Sequence, residues 1–209
     1  MDSKTSDNRK KTANRCLELL NQLKSGGESG VTLWNKEIGA IRNPTFIDFR
    51  NSDLGNVDIS AAEFSVGLKF SKSNFTHAIM AKTLFQSADL RACDFRSANL
   101  NGAKLTNCNL SKSDFSASNC EHAVFSDCDL RKVNFHNANL CNASLANCLL
   151  QGANFTGAHL IETNFHQAEF DDHTKWPHGF LPVIGTLKYR GTGKDPLIAA
   201  NVSSMAQED

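Results

Sequence analysis

SADLRACDFRSANLNGAKLTNCNL, residues 87–110, sets a large apolar residue on every fifth position: Leu90, Phe95, Leu100, Leu105 and Leu110. Followed outward, the beat runs unbroken from Phe70 to Phe170. It passes through Phe75, Met80, Phe85, Phe115, Cys120, Phe125, Leu130, Phe135, Leu140, Leu145, Leu150, Phe155, Leu160 and Phe165. Two residues before each of these 21 positions stands Ala, Cys, Ser or Thr in 19 cases, with Leu68 and Val133 as the exceptions. A period of five fits neither the 3.6 of a helix nor the 2.0 of a strand. It marks a solenoid, an architecture that displays surface rather than enclosing a pocket.

The residue just before the large one is mostly Asn or Asp, as in SADL (87–90), SANL (97–100) and GANF (152–155). Short side chains of this kind bond to nearby backbone and tolerate turns. In these features the chain resembles the pentapeptide-repeat proteins, whose motif is A(D/N)LxX with Leu or Phe at the centre. The resemblance implies an all-β solenoid: a right-handed quadrilateral β-helix, four repeats to a coil, with central and small positions facing inward. The sequence tests the square section by itself, because residues twenty apart should then stack. Phe75, Phe95, Phe115, Phe135 and Phe155 form a Phe column. Phe85, Leu105, Phe125, Leu145 and Phe165 alternate, Leu90, Leu110, Leu130 and Leu150 make a Leu column, and Met80, Leu100, Cys120, Leu140 and Leu160 a mixed one. A coil of fifteen would scramble these types.

Upstream, Phe49, Leu54, Ile59 and Phe64 keep the spacing but lie one residue out of phase with Phe70. The segment SVGLK, with Gly67, reads as a one-residue bulge at a corner, since Gly accepts the backbone angles an extra residue needs. The count is then twenty-five repeats in about six coils, standing roughly 30 Å tall at the usual spacing of strands. The expected organisation is an N-terminal helix and cap over residues 1–45, the β-helix over 46–172, and a C-terminal cap with a flexible tail over 173–209.

A solenoid exposes apolar section at both ends, so each end needs a cap. Ala13, Cys16, Leu17, Leu20 and Leu23 line one face of a helix expected from about Asp7 to Lys24 and stopped by Gly26 and Gly27. The segment GVTLWNKEIGAIRNP resembles the Trp-Asn lead-in of the family, which implies Trp34 as a plug. FDDHTKWPHGF resembles a recurrent family ending, which implies that Trp176 and Phe180 fold over the last coil.

The chain has 209 residues, with 22 basic against 22 acidic and 40% hydrophobic, enough for one continuous core. Its N-terminus lacks the apolar run of a signal peptide and no window approaches a membrane span, so a cytoplasmic protein is expected. Oligomeric state stays open between monomer and homodimer, with Leu181 to Gly185 as a segment that could meet a second subunit.

Candidate chemistry is sparse. Cys108, Cys128 and Cys148 stack in one inward column and could pair or bind a soft metal, but Cys also suits a small buried slot and no CxxC is present. His166, His173 and His178 lie near Asp171 and Asp172 without a recognisable ligand spacing. No Walker loop, GxGxxG, zinc signature or Ser/His/Asp set appears. Neither enzyme activity nor a cofactor is expected.

Charge is more telling. Of nine Lys and Arg between Lys69 and Phe170, six fall on one wall: Lys69, Lys72, Arg91, Lys112, Arg131 and Lys132. Asp89 and Asp129 oppose them there, leaving a mild positive excess. Such residues either keep a solenoid soluble or form a docking stripe for an acidic protein partner. Relatives that imitate duplex DNA and bind type II topoisomerases need a strongly acidic surface, whereas this stretch has nine basic residues against eight acidic. Direct nucleic-acid binding is not expected either, because the basic face lacks interleaved aromatics. The resemblance, to a family abundant in bacteria and especially cyanobacteria, implies a rigid non-enzymatic scaffold. Asn99, Asn119 and Asn139 could form a stiffening ladder, and the outward apolars Leu84, Val124, Leu149 and Ile161 are first candidates for contact.

Overall fold

The physical basis of the five-residue repeat is visible at each corner of the coil. In the computed structural model, which describes residues 3–25, 28–40, 48–64, 67–181 and 186–193, the second residue after a central one takes a left-handed conformation at every described repeat from Phe49 to Phe165. At the twenty non-glycine positions of this kind φ lies between 50 and 64°. Positive φ at the third residue is the signature of a type II turn, and the closing bond is present, as in Ser73 N–H to the Phe70 carbonyl at 3.0 Å and Ala138 N–H to Phe135 at 3.0 Å. The Asn or Asp before the central residue then caps the turn. Its Oδ1 accepts the N–H two residues on, at 3.1 Å from Asn101 to Asn99 and 2.9 Å from Ser116 to Asp114. Each repeat is therefore one short extended side and one corner, capped where that residue is Asn or Asp.

Successive coils pair in parallel. From Lys69 to Glu169 the bridged partners lie twenty residues apart, whereas Asp48, Asp53 and Asp58 pair with Lys69, Asn74 and Ile79, twenty-one residues on. One extra residue thus separates Phe64 from Lys69; Gly67 in this stretch has φ 85°, while Ser65 and Val66 lie outside the described residues. A second shift of one occurs where Asn154 pairs with Lys175. Strands of more than one residue form in few places. Glu63–Phe64 (β1), Leu84–Gln86 (β2) and Lys104–Thr106 (β3) share one wall, where the residue before the centre is not Asn or Asp and no such cap interrupts the pairing. Ala168–Phe170 (β4) pairs with Leu187–Tyr189 (β5) on the Leu wall.

The fold is a right-handed quadrilateral β-helix whose four walls carry the columns set out above. Phe75, Phe95 and Phe115 stack at 4.8 and 4.4 Å between centroids, nearly parallel, and Phe135 continues to Phe155 at 5.4 Å. Phe125 of the Phe/Leu wall meets Phe115 and Phe135 edge-on, filling the axis. Each such ring contributes about 2 to 3 kcal/mol by burial. The small inward position has a second use. Where it is Ser, Thr or Cys, its donor in most cases reaches a carbonyl of the preceding coil, as Ser113 Oγ does to Leu90 at 2.8 Å and Thr163 Oγ1 to Leu140 at 2.8 Å.

The N-terminal end corrects the expectation of a single helix. Ser3–Lys24 (α1) is followed by Glu28–Gly39 (α2), two helices in contact. Within α1, Cys16, Leu19, Leu20 and Leu23 are buried while Leu17 is 48% exposed, so Leu19 replaces Leu17 on the inner face. Gly26 and Gly27 lie outside the described residues. The lead-in around Trp34 is helical because Val31, Trp34 and Ile38 recur at three and four residues and face inward. Trp34 is fully buried, with its ring on Phe49 and Phe64.

At the other end the repeat runs one side beyond residue 172. Thr174, Lys175 and Trp176 take the small, bridging and central positions of a further repeat, and Trp176 extends the Phe column, 5.0 Å above Phe155 and parallel to it. Phe180 stacks on Trp176 and meets Phe165 edge-on. Of the segment expected to meet a second subunit, only Leu181 is described.

Candidate binding surface

The side chains singled out in the sequence fall in four successive coils on the Leu wall and its corner with the Phe wall. Lys69 stands in the bridging column between Asp48 and Asp89. Arg91 and Arg131 follow the central residues, and Lys72, Lys112 and Lys132 occupy the left-handed corner positions, with φ of 63, 64 and 58°. The structure brings all six along one edge and adds Arg50, which stands in the first coil where Arg91 and Arg131 stand in the third and fifth. The recurring Asp-x-Arg of 48–50, 89–91 and 129–131 was the available signal.

These arginines are not free charges. Asp48 pairs with Arg50 at 2.5 Å, Asp89 with Arg91 at 2.8 Å and Asp129 with Arg131 at 2.6 Å, each guanidinium using two nitrogens. The hydrogen bonds hold the Asp48 and Asp89 carboxyls below the usual range. For Asp129 burial pushes upward, but the combined pull of Arg131 outweighs it and the net shift is also downward. Lys72, Lys112 and Lys132 make no ion pair among the described residues, so they carry the unbalanced charge of this edge. Between the side chains runs a groove of about 430 Å³ lined by Arg50, Ser71, Lys72, Arg91, Ser111 and Lys112.

The other candidates make structural contacts. Cys128 Sγ and Cys148 Sγ point at the carbonyls of Leu105 and Phe125, and Cys128 Sγ also accepts the N–H of Cys108. Contact with Cys108, together with burial, pushes the Cys128 thiol up, and burial pushes Cys148 up to about 12. Thiols held protonated in this way are poor ligands and poor nucleophiles. Asp171 accepts from Gly152 N–H, His173 N–H and Thr174 Oγ1, and Asp172 accepts from the Tyr189 hydroxyl and Thr192 N–H, so both carboxylates tie down the chain end. The Asn ladder is real, with Asn139 donating to Asn119 at 3.2 Å and Asn119 to Asn99 at 3.4 Å. Of the outward apolars, Leu84, Val124 and Leu149 are half-buried against neighbouring coils and only Ile161, at 71%, is exposed.

Two family models match the chain, "Pentapeptide repeats (8 copies)" over residues 69–107 and "Pentapeptide repeat region" over 103–174. The chain belongs to the pentapeptide-repeat family. Among solved structures it is similar to HetL, a pentapeptide repeat protein involved in heterocyst differentiation regulation from the cyanobacterium Nostoc sp. strain PCC 7120. The identity is 22% over 61% of this chain and 69% of that one, with a TM-score of 0.33. QnrB1, a plasmid-mediated fluoroquinolone resistance protein, is 20% identical over 75% of this chain and 86% of its own, at a TM-score of 0.41. A pentapeptide repeat protein of the Arabidopsis thaliana thylakoid lumen is 22% identical over 60% and 66%, at 0.34. No curated protein matches the chain. Pentapeptide-repeat proteins are in general structural or interaction proteins, and this chain is a repeat scaffold.

Proposed function

We propose that this scaffold is non-enzymatic and works by presenting its basic edge to an acidic protein partner. The observation that carries the reading is the row of lysines held at fixed height on a ladder-paired backbone. A preformed surface of this kind loses little conformational entropy on docking. The interior supports the same reading, since stacked rings fill it and leave the outer walls as the place for function. Cytoplasmic residence accords with seven free cysteines, which stay reduced there; no described helix is long and apolar enough to cross a membrane.

Imitation of duplex DNA is disfavoured, because Arg50, Arg91, Arg96 and Arg131 each neutralise an aspartate and no acidic wall results. A topoisomerase supercoiling assay, with and without a quinolone, is therefore expected to show no effect. The test of the main reading is affinity capture from the native host followed by mass spectrometry, comparing the wild type with the double variant Arg131→Glu, Lys132→Glu. A specific partner should be lost from the variant. Recovery of every partner by both proteins would remove the edge from the function.

A further inference from the structure

Four corners run the length of the solenoid, and their chemistry differs. The corner between the Phe/Leu and Leu walls carries Ser87, Asn107, Asp127 and Asn147, cross-bonded from coil to coil as Asn107 to Ser87 and Asn147 to Asp127. The corner between the Leu and Phe walls instead carries one or two cations in each of five successive coils: Arg50, Lys72, Arg91, Lys112, then Arg131 with Lys132. The floor between them is small, with Ser71, Ala92 and Ser111. Three of the lysines sit at left-handed positions, where Asn or Gly would be the easier choice, so backbone preference does not explain them.

A second observation points to a ligand in the same groove. Ser71 is only 8% exposed, yet its hydroxyl has no hydrogen-bond partner among the described residues. It lines the groove together with Arg50, Lys72 and Arg91. Arg50 lies close enough to Asp89 and Arg91 to feel both electrostatically, while the paired nitrogens of Arg50 and Arg91 are Nε and Nη2, leaving Nη1 without a bond. A hydroxyl donor that opens on the groove among cations suits an anionic oxygen.

We propose that this groove, with the corner that continues it to Lys132, binds an extended acidic segment of a partner protein, with carboxylates on alternate residues seated on Ser71 and on Lys72, Lys112 and Lys132. The assignment rests on the scaffold reading above and gives it a ligand chemistry. Spacing supports it. Lys112 lies two coils from Lys72 and Lys132 one coil further, about 14 Å in all at the usual inter-strand spacing; carboxylates at first and fifth positions of an extended chain span about the same length, with the third falling between them within reach of the long Lys112 side chain. Asp48, Asp89 and Asp129 flank the groove on the wall side and disfavour a second row of phosphates. The groove also offers no aromatic ring on which a base could stack. These features favour a peptide over a nucleic acid.

The test is fluorescence anisotropy with the full-length protein and a labelled heptapeptide carrying Asp at its second, fourth and sixth positions and Ala or Gly elsewhere. Comparators are the same residues with the three Asp contiguous and a thymidylate strand of about 12 nucleotides, enough for a single-strand site. The alternating peptide should bind in low salt, bind more tightly than either comparator, and weaken as salt rises. Replacing all three lysines, Lys72→Asn, Lys112→Asn and Lys132→Asn, should weaken it about tenfold, the sum of three modest charge contacts. Asn is favoured at left-handed positions, so the variant should melt no lower than the wild type. Ser71→Ala should weaken binding about threefold, as for one lost hydrogen bond, and Lys82→Asn at another corner should change nothing. Absent peptide binding, binding that survives the triple replacement, or tighter binding of the thymidylate strand would each overturn the assignment. If in that case affinity capture still yields a partner lost from the Arg131/Lys132 variant, the scaffold reading stands without this ligand.

Discussion

The two ends of the solenoid face the same physical problem and meet it differently. Each must cover an apolar cross-section and also satisfy backbone groups that every interior coil pairs with its neighbour. At the N-terminal end a pair of side chains does both. The Trp34 ring covers Phe49 and Phe64, its Nε1 donates to the Glu63 carbonyl at 2.8 Å, and Glu63 N–H donates to Asn35 Oδ1 at 2.7 Å. Trp34 and Asn35 thus supply the donor and acceptor that a preceding coil would have offered. At the C-terminal end more chain is laid down in register, but only on two walls. Lys175 and Trp176 cover the Phe wall and β5 the Leu wall. Above the remaining walls Leu160 is half-buried, and Ile161 and Leu181 are exposed. Trp176 covers Phe155, yet its Nε1 is buried with no partner among the described residues. One end is completed by hydrogen-bonding side chains, the other by a partial coil.

That difference sets the order of effects. The largest should come from the rings themselves: Trp34→Ala should cost about 3 to 5 kcal/mol, as for a fully buried aromatic. Phe115→Ala, which empties the middle of the Phe column, belongs to the same range. Urea denaturation followed by circular dichroism measures both, and a loss under 1 kcal/mol at Trp34, a figure typical of surface changes, would show that the helices close the end without the ring. Keeping an aromatic but removing the indole N–H separates the ends more sharply. Trp34→Phe should cost about 1 kcal/mol more than Trp176→Phe, because only the former leaves a carbonyl without its donor. These are the two tryptophans of the chain, so each variant also leaves a single fluorophore reporting one end. Emission from Trp176 should change at lower urea than emission from Trp34; the reverse order would invert the comparison. Asn35→Ala should lie lower still, at about 1 kcal/mol, since water can reach Glu63 and replace part of what is lost.

Much of this architecture was legible in the residues, and the parts that were not share a cause. Columns of Phe and Leu at a spacing of twenty follow from inward positions alone, and packing forces those positions to be apolar. The second helix was readable in Val31, Trp34 and Ile38, but the segment is short and its Trp-Asn pair drew attention as a motif rather than as a helical face. The extra repeat at Trp176 was hidden by the one-residue shift over Asp171 to His173, which breaks the beat of five although the pairing resumes beyond it. For the basic edge, the spacing of twenty puts six cations on one wall, while side-chain geometry decides which of them are spoken for. Arg91 and Arg131 look like the strongest charges in the sequence and are the ones bound by aspartates. The unpartnered hydroxyl of Ser71 had no sequence signal, because a serine directly before a corner is ordinarily a surface group.

The smallest expected effect concerns acid. Arg190 holds the Glu169 carboxyl below its ordinary range by a hydrogen bond at 2.7 Å, and bonds from the Tyr189 hydroxyl and Thr192 N–H lower Asp172 likewise. A carboxylate depressed in the folded state contributes stability above its unfolded pKa and loses it as pH falls through the folded value. The contacts of residues 186–193 should therefore weaken between neutral pH and about pH 3, below the ordinary carboxylate range. At the other end Glu37 is lowered in the same sense by Arg15, which joins α1 to α2. There the ion pair is backed by Cys16, Leu19, Leu20, Leu23 and Ile38, all buried, and apolar packing does not titrate. Hydrogen-exchange protection, corrected for the intrinsic rate at each pH, should fall in 186–193 before it falls in the helices. Equal loss at both ends would mean that the helical cap, too, depends mainly on its charges.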